Sequence, residues 1–104
     1  MYKIELMVPM GSLDLPKNED RPKEFEISYL ATQHQFSSMG PSFDIYILTL
    51  THDVAVGVIA NALYNLIKKY SKGKSEKVTI DRKTIMIDKG QITKVIEEHI
   101  TREK

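Results

Sequence analysis

The sequence contains no cysteine. That absence removes a disulfide framework, a thiolate nucleophile and any zinc site built on sulfur. It fits a reducing compartment, and the cytoplasm is the expected location. Histidine is scarce: His34, His52 and His99 are the only three, and no two of them stand at a helical ligand spacing. His52 beside Asp53 looks like a dyad, but neighbouring side chains point in different directions, so a capping or surface role is expected instead. The five glycines are isolated, which leaves no G-x-G-x-x-G turn and no P-loop to cradle phosphate. No G-x-S-x-G elbow is present. Asp81, Asp88, Glu97 and Glu98 fall on a turn, a strand end and an exposed helix face, so they read as solvated surface. The expectation is a non-enzymatic protein without cofactor or metal.

A long apolar run is missing too. The least charged span, residues 45–67, is interrupted by His52 and Asp53 and then by Asn61 and Asn65. A membrane helix needs about 20 predominantly apolar residues, so a buried soluble element is expected there. The first residues, MYKIELMVPMGS, carry Glu5 inside an apolar stretch too short for a signal peptide, which again favours an unexported chain.

What is present is the composition of an ordinary globular protein, 41% hydrophobic and 28% charged over 104 residues, the size of a single domain. Net charge is +1, but residues 1–53 sum to −4 and residues 54–104 to +5. The two halves can neutralise each other within one fold or an oligomer, or the basic half can meet an anionic partner.

Period-2 alternation predicts a strand over residues 2–8, with Tyr2, Ile4, Leu6 and Val8 on one side. Residues 9–23, with two prolines among many charges after Pro9, read as an exposed loop with a composition that permits mobility. A second strand is predicted over 24–31 and a third over 43–51, "FDIYILTLT", although Phe43, Ile47 and Leu50 also fit a helix face. Apolar residues on both sides of that third strand place it inside the sheet. Asp53 is the expected N-cap of a helix reaching Tyr70 or Ser71, with Gly73 placed to end it. Val78 and Ile80 facing Ile85 and Ile87 across Asp81-Arg82-Lys83 predict a hairpin, and a last helix covers about 91–101. The order β-β-β-α-β-β-α predicts an α+β fold, a mainly antiparallel sheet covered by two helices.

The central helix holds most of the functional information. Gly57, Asn61, Asn65, Lys68 and Lys72 recur at helical steps and form one narrow polar stripe, while almost everything else is apolar. A helix on one sheet needs an apolar stripe a little over 100° wide, and this one offers more. The last helix, a second copy or a different protein can cover the surplus. Val56, Gly57, Ala60, Ala62 and Leu63 are therefore the candidate partner interface, the small residues permitting close approach. At the helix end, Lys68, Lys69, Lys72 and Lys74 form a candidate anion-binding cluster for nucleic acid. A helix dipole favours lysines there in any case, and the base-stacking aromatics of nucleic-acid binders are sparse around them.

From Phe43 onward, "VAVGVIANALYNLIKKY", then "KVTI" and "TIMID", then "QITKVIEEHI", the chain resembles the effector-associated constant component domains of bacterial conflict systems. The resemblance covers residues 43–100 and implies a non-catalytic adaptor module. The expected function is protein association, with a protein partner or a homo-oligomer and no membrane. The alternative is a small nucleic-acid-binding or regulatory protein.

Overall fold

The alternation in YKIELMVP produces strand β1, Tyr2–Pro9, with Ile4, Leu6 and Val8 buried on one face and Lys3, Glu5 and Met7 on the other. A computed structural model describes residues 2–33, 42–51, 53–72 and 76–103. It contains β2, Phe25–Gln33; β3, Phe43–Leu50; α1, Val56–Tyr70; β4, Lys77–Ile80; β5, Lys83–Met86; and α2, Lys89–Glu103. The five strands form one sheet in the order β2-β3-β1-β4-β5, and every neighbouring pair is antiparallel. The expected α+β order, β-β-β-α-β-β-α, is the observed one. No helix among the described residues is long and apolar enough to cross a membrane.

Residues 43–50 are a strand. β3 lies between β2 and β1, pairing Leu50 with Tyr2 at one end and Phe43 with Pro9 at the other. Its apolar residues on both faces suit that interior position. β2 is one of the two edges, and its register slips between Tyr29 and Ala31, so that Leu30 bulges outward at 59% exposure. A bulge blunts an edge strand that would otherwise offer unpaired backbone groups to another chain. Beyond it, Thr32 donates to buried Asp44 at 2.6 Å, and the Gly11 amide donates to the other oxygen of that carboxylate at 2.9 Å.

The β4–β5 turn has two residues, Asp81 and Arg82, at φ 53° and 65°. Positive φ at both central positions is the geometry whose twist matches a tight hairpin. Val78 faces Ile85 as expected, but Ile80 faces Lys83, because Lys83 belongs to the strand and not to the turn. Ile87 lies just past β5, its amide donating to the Glu76 carbonyl at 2.9 Å.

α1 starts later than its sequence suggests. Ala55 occupies the N-cap without a side-chain cap bond, and Asp53 sits exposed in the preceding turn. Asp53 is thus no cap: the chain uses residues 53–55 to leave β3 before turning into the helix. His52, Gly73 and Lys74 lie outside the described residues. The helix ends at Tyr70, with Ser71 already extended.

That extended exit receives the segment expected to be a free loop. Leu13 bridges Ser71, and the Asp14 amide donates to the Tyr70 carbonyl at 3.0 Å. Leu13 is buried in the core and Leu15 packs on it, so part of residues 9–23 is a strap and not an exposed loop. Arg21 fastens the far end, its Nε donating to the Pro16 carbonyl at 3.0 Å.

α2 is capped as sequence rules prefer. Asp88 accepts the Gln91 amide at 3.1 Å, and Ile92, Val95 and Ile96 pack into the core. α1 packs against α2 and buries Ile59, Ala60, Leu63, Leu66 and Ile67. Large apolar side chains contribute roughly 1.5–3 kcal/mol each when fully buried. The surplus apolar surface of α1 is therefore taken up largely by α2 and the sheet.

Candidate functional site: the open face of the sheet

Both helices join the core through one face of the sheet, so the other face must be read from register. On it Met7 pairs with Ile45, Glu5 with Ile47, Pro9 with Phe43 and Lys3 with Thr49. β2 adds Glu26 beside Thr49, Ser28 beside Ile47 and Ala31 beside Ile45. On the other flank Thr79 sits against Met7 and bonds Thr84 at 3.0 Å between hydroxyls. Met86, opposite Lys77, completes the face at 40% exposure. Phe43, Ile45, Ile47 and Met7 thus form a contiguous apolar band across the two central strands, each still partly exposed. None of them belongs to the core or to the side chains packed on it. An antiparallel sheet with one solvated face normally sets polar residues there, and β3 does the reverse.

The band has a charged border. Lys3, Glu5 and Ile47 join Asp81, Arg82, Lys83 and Arg102 around a shallow depression of about 460 Å³ at the β4–β5 turn. Within it Asp81 accepts Arg102 and lies 3.2 Å from His99 Nδ1. That nitrogen is buried without an aligned hydrogen bond. Lys83 pairs with Glu98 of α2, and this hydrogen bond, followed by the lysine charge, holds the Glu98 carboxyl below its usual range. These contacts fasten α2 to the hairpin. Asp81 and His99 come from separate elements and no spacing rule in the sequence relates them.

The residues singled out in the sequence do not form one surface. Ala60 and Leu63 lie in the core, each at most 1% exposed, so neither can meet a partner. The reason is helical phase: both point to the side shared with the sheet and α2. Val56 and Ala62 are partly buried against that core, and Gly57 is exposed. Among the described residues the candidate lysines are engaged locally. Lys68 lies 5.8 Å from the Tyr64 ring and Lys69 lies 5.5 Å from Tyr70, while Lys72 is 3.7 Å from Asp14. Lys89, unexpected from sequence, approaches the same Tyr64 ring at 5.2 Å. Both tyrosine rings therefore carry ammonium groups over them.

A second concavity, about 300 Å³, separates Asp20, Arg21 and Glu24 of the strap from Asn61, Asn65 and Lys69 of α1. Its walls mix both signs and amides without converging on one point. Among the described residues no group of three or more histidines, cysteines, aspartates or glutamates is placed to hold a metal ion. The chain matches no protein-family model, no curated protein and no solved structure.

Proposed function

We propose that this protein is a non-catalytic association module of the cytoplasm, and that its contact surface is the open sheet face rather than α1. The observation that carries the reading is the band of Phe43, Ile45, Ile47 and Met7, which stands outside the core on a face that no element among the described residues covers. Apolar residues grouped in this way on a sheet face mark a surface for macromolecular contact. An adaptor role is also what the resemblance of residues 43–100 to effector-associated constant component domains implies. The lysine cluster supports a nucleic-acid role less well, since Lys68 and Lys69 already lie over tyrosine rings and Lys72 beside Asp14.

The test is covalent cross-linking in the protein's own host, comparing the wild type with Ile45→Lys and with a Lys68→Glu, Lys69→Glu, Lys72→Glu triple variant. Cross-linked protein species should disappear with Ile45→Lys and persist in the triple variant. Species indifferent to Ile45→Lys, or a salt-dependent oligonucleotide affinity abolished in the triple variant, would overturn the reading.

A further inference from the structure

We infer that the open face is covered by a second copy of this chain, so that two sheets stack into a ten-stranded sandwich; this rests on the association function proposed above. Three observations favour that occupant.

The first is shape. A peptide strand docks on a sheet edge, where backbone groups are free, whereas a sheet face offers side chains only and needs a broad apolar partner. Of the two edges that could take a strand, β2 is bulged at Leu30 and β5 is only four residues long. The face is wide and, in its middle, apolar.

The second is area. Strands about 4.8 Å apart, with a rise of about 3.3 Å per residue, give the three long and two short strands a plan area on the order of 500 Å². Corrugated by side chains, the face hides about 1,000–1,400 Å² in total when two copies meet, which reaches the range of specific interfaces. Sheets stacked about 10 Å apart bury such faces in any β-sandwich.

The third is charge. The border of the band carries Lys3 and Arg82 on one hand and Glu5 and Glu26 on the other. An isologous contact brings the same patch from both copies together, so a border of mixed sign can pair with itself. An anionic membrane surface would be matched by a uniformly basic rim, which this face does not have.

Light scattering on the purified protein at about 100 µM, above the Kd expected for a contact of this size, should give twice the chain mass of 11.9 kDa. Ile45→Lys and Ile47→Lys should each return the single-chain mass while keeping the wild-type circular dichroism spectrum. Val58→Lys, on the exposed side of α1, should remain a dimer. A measurement on the unaltered chain guards against variants that fail to fold. Peroxide should oxidise Met7 and Met86 slowly at high concentration and faster after dilution, whereas Met10, off the face and 56% exposed, should react alike at both.

A wild-type monomer at about 100 µM, concentration-independent oxidation of Met7 and Met86, or a dimer that survives Ile45→Lys, overturns the second-copy occupant. Binding to anionic vesicles that is lost in Ile45→Lys overturns it as well. A purified monomer whose cross-links in the host still depend on Ile45 defeats only the second copy and leaves the association function standing.

Discussion

Nδ1 of His99 lies 3.2 Å from Oδ1 of Asp81, while the other oxygen of that carboxylate receives Arg102. One aspartate in a two-residue turn thereby holds the C-terminal half of α2 against the sheet. The side chains of His99 and Asp81 are only 10% and 17% exposed, so the contact is shielded. Asp81→Asn keeps a residue that tolerates positive φ and removes the charge. It should cost about 1–3 kcal/mol in urea denaturation. Asp81→Ala should cost about 1 kcal/mol more, because alanine resists the left-handed backbone. A wild-type midpoint for Asp81→Asn would show that the latch contributes nothing.

Tyr46 supplies an alkaline limit. Burial, then the neighbouring Asp44 charge, raises its phenol above the ordinary value of 10.0. The folded chain keeps this proton longer than the unfolded chain does. Its stabilising contribution is therefore complete below the ordinary tyrosine value and is lost as pH climbs through the folded one. Unfolding free energies measured at rising alkaline pH should fall more steeply for the wild type than for Tyr46→Phe, and equal slopes would contradict this assignment.

Leu13 tests the strap. It is buried where the strap bridges to Ser71 at the exit of α1, and its truncation leaves a cavity in the core. Leu13→Ala should lower stability by about 2–4 kcal/mol. A free loop at this position would tolerate the change within about 0.5 kcal/mol.

Gly57 offers a gain. A Cβ placed there meets nothing within 4 Å, and the residue stands in the first turn of α1. Gly57→Ala should stabilise the fold by about 0.5 kcal/mol, seen as a higher melting temperature. If Gly57 instead permits the close approach of another molecule, the same variant should weaken association without loss of stability.

The period of β1, the hairpin and the helical spacing of α2 were legible in the sequence because each is decided by near neighbours in the chain, whereas Asp88 reads there as surface and caps α2 in the fold. α1 was legible as a helix but not in phase. With apolar residues nearly all round, nothing local separates Leu63, which is buried, from Val58, which is exposed. Leu13 was hidden among prolines and charges, and its burial depends on the distant exit of α1. The two-sided apolarity of β3 was read correctly as an interior position. Its second meaning, that one of the two faces lies open, depends on where the helices pack, and only the assembled sheet decides that.

The central place of β1 bears on how the protein comes off the ribosome. β1 precedes both of its neighbours, β3 and β4, in the chain, and Leu6 waits for Ile80 before its second neighbour exists. No nascent fragment ending before β4 can complete the sheet, and long-range pairings of this kind fold slowly. Until then the strand with the alternating core residues Ile4, Leu6 and Val8 remains half-paired, so the chain depends on late closure by its last hairpin and helix.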